Sequence, residues 1–269
     1  MGKGLKSFHR VAMGVSYFGP DFSGFQVQQQ GSAVANALET ALFKITGQSI
    51  AIVCAGRTDS GVHAHEQVIH ADVPISIDLR AWTFGMNRLL PRSVRILWAQ
   101  VMPSEFHARF SAVARQYQYL IYQQNFLPVH LHNRVHHSYR SIDIDLMNQA
   151  SQMLLGVHDF TAFQASGCQA HHAKRHLQIL HWQQNGPWII VTVKANAFLY
   201  RMVRNLVGAL LRVAYGQSSH DFPYQLLISN TRPGQMPTAP AYGLYLDCID
   251  YPDYNIPKQS AWYDSLLRE

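Results

Sequence analysis

Between Ala55 and Ala64 the chain reads AGRTDSGVHA, which sets a guanidinium at Arg57 and a carboxylate at Asp59 between two glycines. Polar residues bracketed by glycine directly after an apolar run form a loop leaving a sheet edge, so both side chains are displayed. The segment thus concentrates a carboxylate, a guanidinium and flexible backbone in one exposed turn. By residue chemistry alone Asp59 reads as a turn residue, since most loop aspartates turn their carboxylate onto nearby backbone N–H groups and hold the turn.

Other chemistries find less support in the spacing. The chain carries 15 histidines. His65-Glu66 would open a zinc-binding helix only with a second histidine where Ile69 stands, and His70 lies one position off that face. His132/His136 and His172/His176 have i, i+4 spacing but no third ligand type beside them. The paired H-x-E and P-C-x-x-C pattern of zinc deaminases is absent, as are glycine-rich phosphate loops. Neither a metal nor an organic cofactor is expected. Cys54, Cys168 and Cys248 stand far apart with no C-x-x-C pair, which reads as reduced core residues rather than a disulfide framework.

Periodicity supplies the elements that must carry the loop. Val11, Met13, Val15 and Tyr17 alternate as in a half-buried strand, and Gly19-Pro20-Asp21 breaks it. Ser32 is placed to cap a helix with Val34, Leu38, Ala41, Leu42 and Ile45 on its apolar face and Gly47 at its end. Strands follow at 50–54, 68–72 and 94–101, with a helix from Leu79 to Leu90 stopped by Pro91. A second series repeats the theme: a strand over 112–122, a helix over 145–155 closed by Gly156, and strands over 177–182 and 188–195 joined at Asn185-Gly186. The longest helix then buries Leu199, Met202, Val203, Leu206, Leu210 and Val213, with Arg201, Arg204, Asn205, Gly208 and Arg212 on another side. A strand over 245–251 comes last. These readings give an N-terminal lobe at 8–107, a C-terminal lobe at 108–251 and a tail at 252–269.

A hydrophobic fraction of 48% with 14% charged residues is enough to form real cores. The formal charge of +6 suits a polyanion, because cationic side chains displace condensed counterions from phosphate backbones. Charge alone fits an ordinary mildly basic protein equally well. The start MGKGLKSFHR lacks a secretory apolar stretch and no run reaches bilayer-spanning length, which implies no membrane and a cytoplasmic location.

The AGRTDSGVHA segment resembles the catalytic motif of the anticodon-arm transfer-RNA pseudouridine synthases, the TruA family. Similarity continues through YFGPDFSGFQVQ at 17–28, FHARFSAVARQYQYLIY at 106–122, GVHDFTAF at 156–163, KANAFLYRMVRNLVG at 194–208 and GLYL at 243–246. The resemblance implies the α+β pseudouridine synthase fold, a mixed, mainly antiparallel sheet from two pseudo-symmetric lobes around a central active-site cleft. It implies that Asp59 is the nucleophile in converting uridine to pseudouridine at positions 38, 39 and 40 of the anticodon stem-loop of tRNA. Arg204 becomes its charge partner on a largely buried helix, and Tyr117 lies beside the target base, stacking or relaying a proton. Arg57 fills the space of the extruded nucleotide or holds its phosphates. A homodimer is implied. The sequence departs from the family after Cys168, where Lys174 and Arg175 are substitutes for phosphate binding, and at Phe25, where tryptophan is familiar. Two rival readings use fewer residues: a noncatalytic RNA-binding module, and a metal-dependent hydrolase built on the histidine clusters.

Overall fold

The computed structural model describes residues 8–26, 32–74, 78–230 and 237–267. The sequence readings that rest on Met1–Ser7 and on Val27 and Gln28 lie outside these residues. The chain forms two compact units, Met1–Val113 with Cys248–Gln259 and Ala114–Asp247 with Ser260–Glu269.

In the first unit, β1 (Phe8–Tyr17) is followed by α1 (Val34–Thr46), β2 (Val53–Cys54), β3 (His63–Pro74), α2 (Met86–Leu89) and β4 (Val94–Met102). Antiparallel β1 is flanked by β3 and β4, and β2 adds to β3. Val11, Ala12, Met13 and Val15 are all buried, so β1 is covered on both faces. At Gly14 a Cβ would strike the Trp98 indole, and without one the indole lies close over the strand. Its N–H reaches Oε1 of buried Glu66 at 2.9 Å. Helix α1 buries Val34, Leu38, Ala41 and Leu42 and ends at Gly47 with φ +68°. Its N-cap is Ala33 rather than Ser32, whose hydroxyl instead donates to the Asp21 carbonyl at 3.3 Å. Asn36 Oδ1 accepts from the Ala33 N–H in its place. The stretch read as one helix over 79–90 winds as a wider π-turn at Ala81–Gly85, which buries Trp82 and Met86 and leaves Leu79 and Leu89 exposed.

The second unit contains β5 (Ala114–Gln123), β6 (His136–Ser138), α3 (Ile144–Gln152), β7 (Gly156–Asp159), β8 (Lys174–Asn185), β9 (Trp188–Ala195), α4 (Met202–Ala214) and α5 (Phe222–Ser229). Strands β5, β9, β8 and β7 pair antiparallel in that order, and β6 runs parallel to β5. Helix α3 starts at Asp143, whose Oδ1 accepts from the Leu146 N–H. The β8–β9 turn falls on Gly186 and Pro187, with Asn185 already paired to Trp188. Helix α4 begins three residues later than its apolar stripe suggests, because Arg201 is held at φ +59°. The last strand, β10 (Leu244–Asp250), contributes residues to both units. The protein is thus α+β with a mixed, mainly antiparallel sheet. Among the described residues no helix is long and apolar enough to cross a membrane.

Candidate active site

The polar loop joins β2 to β3, and long-range contacts decide how it displays its side chains. Thr58 is buried, its Oγ1 sharing a 2.7 Å hydrogen bond with the phenol of buried Tyr17. Its carbonyl accepts from the Phe25 N–H at 3.1 Å. Ser60 Oγ donates to the Phe22 carbonyl at 3.4 Å, and the Asp59 carbonyl accepts from the Val62 N–H at 3.2 Å. Gly56 is held at its carbonyl by Nε2 of fully buried Gln67. With Thr58 fixed inward, its neighbours are left to the surface: Arg57 is exposed and Asp59 half-buried. Gly24 permits this packing. It sits at φ +108°, and a Cβ there would lie 3.0 Å from the Thr58 carbonyl oxygen. The Tyr17–Phe25 segment is therefore the mount of the Arg57–Asp59 loop, a role read neither from periodicity nor from the loop itself, although both stretches lie in quoted motif blocks.

At the base of the loop, burial pushes the Cys54 thiol up to about 11, while the positive charges of Arg57 and Arg109 oppose the rise. A thiol so held is a poor nucleophile at neutral pH. All three cysteines are free and half-buried rather than core residues. Among the described residues no three His, Cys, Asp or Glu side chains group closely enough to hold a metal ion. His136, of one i, i+4 pair, instead contacts the Tyr215 hydroxyl at 3.3 Å, and burial lowers it to about 4.

Tyr117 and Arg204 belong to the second unit. Tyr117 on β5 is 8% exposed, and its ring meets Phe198 edge-on, 5.2 Å between centroids at 88°. Phe198 thus fixes the ring plane, and the sequence reading missed it. Arg204 on α4 donates from Nε to the Ala239 carbonyl at 2.8 Å, while its own carbonyl accepts from the Ala239 N–H at 3.0 Å. Asn205 and Gly208, read as part of a polar helix side, are packed: Asn205 is fully buried and bonded to the Phe163 carbonyl and Thr238, and a Cβ at Gly208 would strike Pro237. Segment 237–240 is therefore clamped along α4, with Tyr119 donating to the Pro240 carbonyl at 3.1 Å. Arg175 is not placed for phosphate binding. It is buried, and its Nη1 donates to the carbonyls of His172 and Lys174, so Arg175 shapes the turn that leaves Lys174 exposed.

A sheet-borne loop that displays Arg57 and Asp59 and holds Thr58 inward, in an α+β chain with these motif blocks, resembles that of a pseudouridine synthase. The model of the tRNA pseudouridine synthase family matches residues 13–111 and 150–252. The chain is 42% identical to tRNA pseudouridine synthase A of Tolumonas auensis over 93% of its own length and 96% of that protein. It is 44% identical to the Aeromonas hydrophila protein of that name over 90% of each chain. It is 40% identical to the Pseudomonas aeruginosa one, over 93% of this chain and 88% of that one. This chain belongs to the tRNA pseudouridine synthase family.

Proposed function

We propose that this protein isomerises uridine to pseudouridine in transfer RNA, at positions 38, 39 and 40 of the anticodon stem-loop, with Asp59 as the nucleophile. The reading rests on Asp59 standing half-buried on a loop clamped at Thr58, between an exposed arginine and an exposed serine. A clamped carboxylate meets its target without first ordering a flexible loop, which is how positioning lowers a barrier. The reaction conserves composition. The bond from ring nitrogen to sugar breaks, a bond from ring carbon to sugar forms, and the proton leaving that carbon is replaced by one on nitrogen. Asp59 holds the intermediate while the base turns.

Arg204 supplies the cation that keeps the Asp59 carboxylate ionised, and Tyr117 stacks on the uracil and takes the proton from its carbon. Arg57 enters the space left by the extruded nucleotide, offsetting the few kcal/mol of unstacking, or holds its flanking phosphates. The enzyme acts as a cytoplasmic homodimer without metal or organic cofactor; light scattering showing a monomer at working concentration contradicts the dimer. The central test is chemical mapping of pseudouridine in an anticodon-arm transcript. Asp59→Ala is expected to cut turnover by at least about 10³-fold while RNA binding and Tm stay at parental values. Pseudouridine formed by Asp59→Ala at the parental rate refutes the assignment.

A further inference from the structure

The turn that follows β4 carries a feature that the proposed chemistry does not use. Phe110 is 76% exposed, far more than a packing role needs. The Arg109 guanidinium stands 5.5 Å from its ring centroid, and the His107 imidazole stacks on the ring at 4.3 Å and 29°. Arg109 is exposed as well.

This display is rigidly built. His107 Nδ1 accepts from the N–H groups of both Arg109 and Phe110, at 3.2 and 3.1 Å. The Ala108 N–H donates to Nδ1 of buried His70 at 3.1 Å. Ser111 closes the turn twice, its N–H donating to the His107 carbonyl and its hydroxyl accepting from the His107 N–H. Arg10 secures the approach by donating from Nη1 to the Ser104 and Phe106 carbonyls. Three successive amides spent on imidazole nitrogens leave the turn little freedom, so an exposed ring and cation are presented in one fixed geometry.

An aromatic face paired with a guanidinium matches a nucleotide, whose base stacks on the ring and whose phosphate accepts from the cation. Only a base with a free face can stack there, so the matching RNA is unpaired at that point. We propose that the 107–111 turn is an RNA-contact element, in which Phe110 stacks on an unpaired base of the substrate and Arg109 holds a neighbouring phosphate. This rests on the tRNA-modifying reading above and adds two binding residues to it.

The test measures affinity of the full chain for an anticodon-arm transcript and for a fully paired duplex, across a salt series, beside pseudouridine mapping. Phe110→Ala is expected to weaken binding to the arm by about 5- to 150-fold, with no change for the duplex, and Phe110→Tyr to restore it. Arg109→Gln is expected to reduce the salt slope by about 1. Both sites are exposed, and unchanged melting curves would establish that the variants fold. If the parent forms pseudouridine and both variants bind the arm as it does, the contact is overturned and the reaction stands. Should the parent form none yet bind with this Phe110 dependence, the reaction fails and the contact stands. Phe110→Ala that dissociates a dimer with unchanged RNA affinity assigns the ring to a second copy and overturns the contact, as does a parent that binds no RNA.

Discussion

The carboxylate proposed as nucleophile depends on a hydroxyl pair that lies beneath it. Thr58 separates Arg57 from Asp59, and its bond to the Tyr17 phenol holds the loop inward at that one residue. Tyr17→Phe removes that bond, worth about 1 kcal/mol, and leaves a buried threonine hydroxyl without its phenol partner. Stability is expected to fall modestly. Single-turnover rate is expected to fall further, by roughly 10- to 100-fold, because a small misplacement of a reacting group is costly. Gly24→Ala acts on the same loop through sterics, forcing a side chain into φ +108° against the Thr58 carbonyl, at a cost of about 1–3 kcal/mol. Parental single-turnover rates in both variants, with Tm shifts confirming the substitutions are felt, would show that the mount is irrelevant to the chemistry.

At the scale of elements, β3 and the 107–111 turn are joined through His70. Its Nδ1 can accept from Ala108 only while the ring is unprotonated there. Burial, then the positive charges of Arg10 and His107, lowers His70 to about 4, with Asp72 opposing. Because the unfolded chain titrates near the ordinary histidine value of about 6.5, it binds more protons than the folded chain between that value and about 4. The contribution of His70 is therefore complete above pH 6.5 and is lost as pH falls toward 4. Partial water access screens the effect to on the order of 2 kcal/mol. His70→Asn keeps an acceptor near the same place but does not titrate. Its Tm should drop less than the parental Tm between pH 7.5 and pH 5, even though His136 lowers the acid stability of both proteins. Equal drops would remove His70 from the acid response.

For the whole molecule, the C-terminal residues are divided between the units. Gln259 belongs to the first, where its N–H donates to Glu66 Oε2 at 3.1 Å and its carbonyl meets His65 Nε2 at 3.2 Å. Tyr263 belongs to the second, buried in a cluster with Leu120, Leu131, Val135, Ile190 and Tyr245. Its hydroxyl donates to Asp247 Oδ1 at 2.5 Å, and Gln116 Nε2 donates to Oδ2 at 2.8 Å. Asp247 is only 9% exposed, so a lost donor leaves a carboxylate oxygen poorly satisfied. Tyr263→Phe is expected to cost about 1–3 kcal/mol, and truncation after Gln259 about 3–5 kcal/mol as the aromatic is lost too. Thermal melting measures both. An unchanged Tm after truncation would mean the cluster does not need its C-terminal member.

Much of this fold was legible in the chain because its causes are local. Alternation marked β1, three- and four-residue spacing with Gly47 marked α1, and Asn185-Gly186 marked the hairpin, one residue before its turn; each depends on residues within a turn or two of one another. The glycines around Arg57–Ser60 announced a displayed polar loop for the same reason. What the tertiary structure alone decided involves partners far apart in sequence. Thr58 meets Tyr17 across 41 residues and Arg204 meets Ala239 across 35. The buried state of Arg175, the left-handed start at Arg201 and the sharing of the tail between units were likewise hidden. Such contacts depend on which surfaces the finished fold brings together, and no local pattern encodes the partner.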